Sequence, residues 1–285
     1  MDCLRCAGAS VTFIASFYLW PSERRFVYWG VRSLRRATED NTIYIDRDSD
    51  DTIRRRTLFF LQNCVLSAGF LAFQSHSSLE VPAYSGGVWL LPLSRATVST
   101  LVLFAGPVGD KIILRKFPIE ENWLRRWRSY VLCPIGEELF FRGVLFTLLS
   151  KRSQWMQIGV ATLLFSLSHS HHIVSWACDE YIDRCADATE SSDADLQCIC
   201  WRAAARKLVS VYLFTGAFGA LSGYYYLCVC EGSIGAIAAV HAICNFIGPP
   251  DFAVLRSPSV TRRIKVVSAV MHVGGIVGWL WALLH

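Results

Sequence analysis

The run Val131-Leu-Cys-Pro-Ile-Gly-Glu-Glu-Leu-Phe-Phe-Arg-Gly-Val-Leu-Phe-Thr-Leu-Leu149 is apolar apart from Glu137, Glu138 and Arg142. Its length suits a membrane-crossing helix, because a hydrocarbon core of about 30 Å takes roughly 17–25 apolar residues. Each ionisable group at that depth costs roughly 2.5–3.5 kcal/mol on the lenient insertion scale, so three in one span mark a functional site by default. The bland alternative is an ion pair that merely glues two helices together.

The rest of the chain carries the same signature. Of 285 residues, 53% are hydrophobic and 18% charged, against about 25% charged in an ordinary soluble domain. Apolar blocks at 4–20, 57–74, 88–108, 131–149, 155–173, 208–229, 233–249 and 266–284 predict an all-α, polytopic integral membrane bundle of about eight transmembrane helices. The first block is read as a retained helix, not a cleaved signal, because Pro21-Ser-Glu-Arg-Arg25 follows it in place of a small-residue cleavage site. Residues 1–285 then form a single membrane-embedded domain with polar insertions near 30–56 and 175–205, expected as cytosolic loops or short surface helices.

Lysine and arginine set the orientation. The connections after the first, third, fifth and seventh blocks hold nine, six, four and four, so 23 of the chain's 28 lie in odd loops. By the positive-inside rule those loops are cytosolic. The net charge of +5 is therefore a topology signal and excludes a nucleic-acid role; the basic-aromatic run Trp123–Tyr130 reads as a juxtamembrane belt. The eleven cysteines do not form a disulfide framework, since several sit in apolar spans and Cys178, Cys185, Cys198 and Cys200 fall in a cytosolic loop without paired CxxC spacing.

Three polar constellations stand on separate apolar segments. Glu138 and Arg142 are four apart and pair along one helix face, which leaves Glu137 pointing elsewhere in the bundle. A desolvated carboxyl beside one held by a guanidinium is suited to an acid–base division of labour. Phe165 and His169 are likewise four apart, with His171 and His172 beyond. His241 and Asn245 repeat the spacing, and an imidazole and an amide aimed into a bundle suit a developing oxyanion.

In the order EExxxR, FxxxH and HxxxN, these motifs resemble the CAAX-protease and bacteriocin-processing family. Within it, Cys133–Arg142, Phe165–Ile173, His241–Pro250, Ser16–Trp20 and Leu103–Pro107 are similar to the eukaryotic type II CAAX prenyl endopeptidases, or Ras-converting enzymes. The resemblance implies a multi-pass enzyme of the endoplasmic reticulum membrane, its active site open to the cytosol. Its implied activity removes the last three residues from farnesylated or geranylgeranylated CAAX proteins, small GTPases of the Ras type among them, taken from membrane lipid. It further implies catalytic Glu137 and His169 activating water, His241 and Asn245 stabilising the oxyanion, and Glu138, Arg142 and Phe165 in support. No cofactor and no metal is implied. The chain has no HExxH, and Gly219–Gly223 and Gly106–Asp110 each miss by one residue the spacing of serine and aspartyl intramembrane proteases. A metal held by Glu137, Glu138, His169 and His241 and a non-catalytic scaffold are the alternatives.

Overall fold

A computed structural model describes residues 2–40, 42–76, 90–117, 120, 122–185 and 192–284, and among them it contains helices and turns but no strand. Helix α1 (Asp2–Ala15) is followed by α2 (Pro21–Arg32), α3 (Leu34–Glu39), α4 (Asp50–His76), α5 (Leu90–Leu103) and α6 (Ala105–Leu114). Next comes α7, a continuous rod over 123–148, then α8 (Gln154–Ser168), α9 (Ile173–Cys185) and α10 (Asp193–Cys228). The chain ends with α11 (Ile234–Ile247), α12 (Ala253–Arg256) and α13 (Arg262–Leu284). Side chains supply the missing partners at several helix starts: Ser33 accepts from Arg36 N, Ser153 from Met156 N and Ser233 from Ala236 N.

Three helices, α4, α10 and α13, are long and apolar enough to cross a membrane, or five spans if each of two bent pairs counts as one. The expectation of about eight crossings is thus not reached by length and composition alone. Block 4–20 ends in a bend of 100° between α1 with its short extension and α2, and block 88–108 is two helices bent by 61°. Pro107 explains the second break, because it donates no hydrogen bond and its ring would meet the carbonyl of Leu103, four residues earlier. Exposed Leu58, Val65, Phe73, Leu90, Val98, Leu213, Val270 and Trp281 give these helices apolar outer surfaces, as lipid requires. Helix α10 has 36 residues, about 54 Å at 1.5 Å per residue, so it overruns the hydrocarbon by several turns.

The chain divides into two compact units, one of Met1–His76 with Gly143–Gly223, the other of Ser77–Arg142 with Tyr224–His285. In the first unit the two polar insertions, expected as loops or short surface helices, carry helices that fold onto each other. Phe26, Leu34, Ala37, Ile43 and Ile45 share a buried core with Val174, Ala177, Cys178, Tyr181, Leu196, Cys200 and Ala204. Polar ties cross it: Leu34 N donates to Gln197 Oε1 (3.2 Å), Tyr44 OH to Asp179 Oδ1 (3.4 Å) and Tyr181 OH to Asp193 Oδ1 (2.6 Å). Burial pushes the Cys178 thiol up to about 12, which keeps it an inert core residue. Buried Glu23 receives both prongs of the Arg56 guanidinium, at 2.7 and 3.1 Å. The acidic insertion is therefore part of a packed layer, since the apolar residues between its charges recur at helical spacing on α9 and α10.

In the second unit α13 packs against α5 and α6, and α11 against α5 and α7. A Cβ on Gly275 of α13 would lie 2.7 Å from the Val102 carbonyl, and one on Gly106 of α6 would lie 2.3 Å from the His272 ring, so only glycine permits these approaches. Beside them Asp110, 2% exposed, accepts from Ser268 Oγ at 2.5 Å and lies 3.2 Å from His272 Nε2. Both partners bind the same carboxylate, so this is a satisfied buried cluster and not a serine–histidine relay.

Candidate active site

Helix α7 holds the glutamates in an unusual frame. Two π-helical turns, Arg128–Leu132 and Leu139–Val144, flank the α-helical Cys133–Glu138. Pro134 would end an ordinary helix, and the wider turn just before it absorbs the missing donor and lets the rod continue. Such turns recur at functional sites in helices.

Within the second unit Glu138 and Arg142 are both fully buried, and Oε2 of the glutamate lies 3.2 Å from Nε of the arginine. The i, i+4 pairing read from the sequence is present. The other carboxylate oxygen, Oε1, lies 2.7 Å from Nδ1 of His241. An ionised Glu138 only accepts, so Nδ1 carries the proton, and the ring is turned with Nε2 toward Oε2 of Glu137 at 3.9 Å. Glu137 is 21% exposed where its neighbour is 0%. One of two adjacent carboxylates is thus consumed by structure, and the other stays accessible.

Asn245, one turn along α11 from His241, is exposed and donates its amide to the Ser129 carbonyl at 2.9 Å. That carbonyl belongs to the first π-helical turn, so α7 and α11 are tied at both Glu138–His241 and Ser129–Asn245. Phe246 adds an edge contact with Tyr130, 5.7 Å between ring centres.

Phe165 and His169 lie in the first unit and are brought together there. Helix α8 stops at Ser168, and the histidines occupy a 3-10 turn, His169–His172, in place of the expected continuous helix through 173. His169 Nδ1 donates to the Phe165 carbonyl at 2.9 Å, its ring 5.1 Å from the buried phenyl, and this fixes the tautomer with Nε2 as the proton-accepting nitrogen. His171 is committed elsewhere: Nδ1 donates to Ser168 O (2.5 Å), Tyr18 OH donates to its carbonyl (3.2 Å) and Phe17 stacks on it (6.2 Å). His172 packs on Trp176 at 5.5 Å. Among the described residues no three of His, Cys, Asp and Glu converge as metal ligands.

Sequence reasoning missed the Glu138–His241 bond, the role of Ser129 and the π-helical turns. Only the last left a sign in the sequence, a proline inside an otherwise uninterrupted helical run.

Buried charge and a paired imidazole mark a candidate functional site in a helical membrane protein. The comparisons narrow the class. A family model described as type II CAAX prenyl endopeptidase Rce1-like matches residues 119–247. The chain is 24% identical over 245 residues to CAAX prenyl protease 2 of Saccharomyces cerevisiae, covering 72% of each. It is 26% identical over 209 residues to CAAX prenyl protease 2 of Homo sapiens, covering 65% of this chain and 54% of the human one. No solved structure matches it. The chain is thus similar to type II CAAX prenyl endopeptidases, and the matched segment carries Glu137, Glu138, His169, His241 and Asn245.

Proposed function

We propose that residues 1–285 act as one protease domain that hydrolyses the peptide bond after a prenylated cysteine, releasing the last three residues of farnesylated or geranylgeranylated CAAX proteins such as Ras-type GTPases. The observation that carries this reading is the pairing of a fully buried Glu138, held by Arg142 and His241, with an accessible Glu137 beside it. At 3.9 Å the Glu137 oxygen and the His241 Nε2 are too far apart for a direct hydrogen bond, and both lie within reach of one water.

Glu137 takes a proton from that water as oxygen attacks the scissile carbonyl, and returns it to the departing nitrogen as the C–N bond breaks. His169, assigned by its motif, assists from Nε2. A protonated His241 donates from Nε2 to the oxyanion while Glu138 and Arg142 hold its other edge, and the Asn245 amide adds a second donor when it leaves Ser129. The lipid-borne tail reaches the enzyme from the bilayer of the endoplasmic reticulum, with the peptide on the cytosolic side, a reading supported by the clustering of Lys and Arg in the polar connections.

The test is tripeptide release from a farnesylated CAAX peptide by purified protein. Wild type should release it and Glu137→Ala should not. Equal release from both would remove Glu137 from this role, and no release from an intact, folded wild type would remove the activity.

A further inference from the structure

Away from the carboxylates, the start of α5, the end of α10 with the turn after it, and the end of α13 enclose a groove of about 670 Å³ in the second unit. Arg95, Val98 and Val102 of α5 line one wall, Ala282 and Leu283 of α13 another, and Glu231 sits in the turn at its mouth. Arg95 and Glu231 are both exposed, and neither has a hydrogen-bond or ion-pair partner among the described residues. Arg95 stands on an apolar surface, between Leu91 (53% exposed), Val98 (60%) and Leu101 (46%). An arginine presented to lipid carries a cost unless an anion meets it.

The order of these groups along the helices points to the anion. Arg95 is five residues inside the start of α5, about 8 Å along the helix from its first residue at 1.5 Å per residue. Glu231 lies beyond the end of α10, in the turn that follows Cys228. A zwitterionic glycerophospholipid has the same order, with phosphate next to the glycerol and the amine outermost. Below the phosphate come acyl chains, and below Arg95 come Val98 and Val102, three and seven residues on and therefore on the same helix face. The guanidinium fork fits phosphate oxygens, and a carboxylate accepts hydrogen bonds from a primary ammonium but none from a quaternary one. An anionic serine headgroup would bring a second carboxylate against Glu231.

We infer that this groove binds an ethanolamine glycerophospholipid, with phosphate on Arg95 and ammonium on Glu231. The site is independent of the proposed peptidase chemistry, and its test needs no turnover.

The experiment is native mass spectrometry of the full chain released from nanodiscs that contain equal amounts of phosphatidylethanolamine and phosphatidylcholine. Wild type should retain the ethanolamine lipid by about tenfold over the choline lipid, the worth of one charge-assisted hydrogen bond. Glu231→Gln should keep lipid and bring that ratio close to one, whereas Arg95→Gln should lose both lipids. Arg95→Lys, which keeps the charge without the fork, should retain an intermediate amount and guards against a folding defect in the glutamine variant. Equal retention of the two lipids by wild type, or undiminished retention by Arg95→Gln, would overturn the inference.

Discussion

Replacing Glu138 by Gln tests the division of labour between the two glutamates. The substitution preserves shape but removes the charge shared by Arg142 Nε at 3.2 Å and His241 Nδ1 at 2.7 Å. Both groups of the ion pair are 0% exposed, so neither can recover its partner from water. Breaking a buried pair from one side costs about 3–5 kcal/mol, and an amide can face its oxygen to only one of the two donors. The protein should therefore lose about 3–5 kcal/mol of stability. Losing the carboxylate that holds the His241 ring should also lower kcat by about 10²–10³, the usual consequence of a lost oxyanion donor. Glu137→Gln makes the contrast: with no direct hydrogen bond to His241, it should abolish tripeptide release while changing stability by less than about 1 kcal/mol. Denaturant unfolding in a mixed micelle, run alongside the peptide assay, separates the two effects. The reasoning fails if Glu138→Gln unfolds like wild type, or if Glu137→Gln is the more destabilised of the pair.

Two further outcomes follow from packing and burial. Gly106→Ala places a methyl group 2.3 Å from the His272 ring and 2.7 Å from its backbone, so α6 and α13 must separate; a loss of about 1–3 kcal/mol is expected in the same unfolding measurement. Burial raises the Asp179 carboxyl above its ordinary value, against the pull of Arg47 and Lys207. The folded state then binds that proton more tightly than the unfolded chain, so stability falls as pH rises from the ordinary carboxylate range through the folded value and stays lower above it. Asp179→Asn should consequently stabilise the extramembrane core at neutral pH, still accepting the Tyr44 hydrogen bond, and the gain should vanish below about pH 4 in a pH series of melting curves.

What the sequence disclosed about the site was what helical periodicity can carry. Glu138 with Arg142 and Phe165 with His169 are each one turn apart, and both pairs meet in the structure because a helix places residues four apart on one face. His241 reaching Glu138 across 103 positions has no local signature. Nor has Asp110, whose partners lie on α13 and which the sequence offered only as a near miss to a protease motif. The insertions were legible as polar segments, but the packing of Leu34 and Ala37 on Ala177, Cys178 and Cys200 joins residues far apart in the chain and has no signature in any local window. The 88–108 block was legible in composition but not in shape, although Pro107 marked the place of its break.

Each π-helical turn of α7 is an α-helix carrying one surplus residue. Excising a residue from 128–132 or from 139–144 would restore the regular ladder and strengthen the rod. The wider turn absorbs the surplus residue, so the flanking helix would keep its facing while the residues inside the turn changed theirs. Ser129, whose carbonyl ties α7 to Asn245, and Arg142, which holds Glu138, both lie inside these turns and would be re-aimed by the excision.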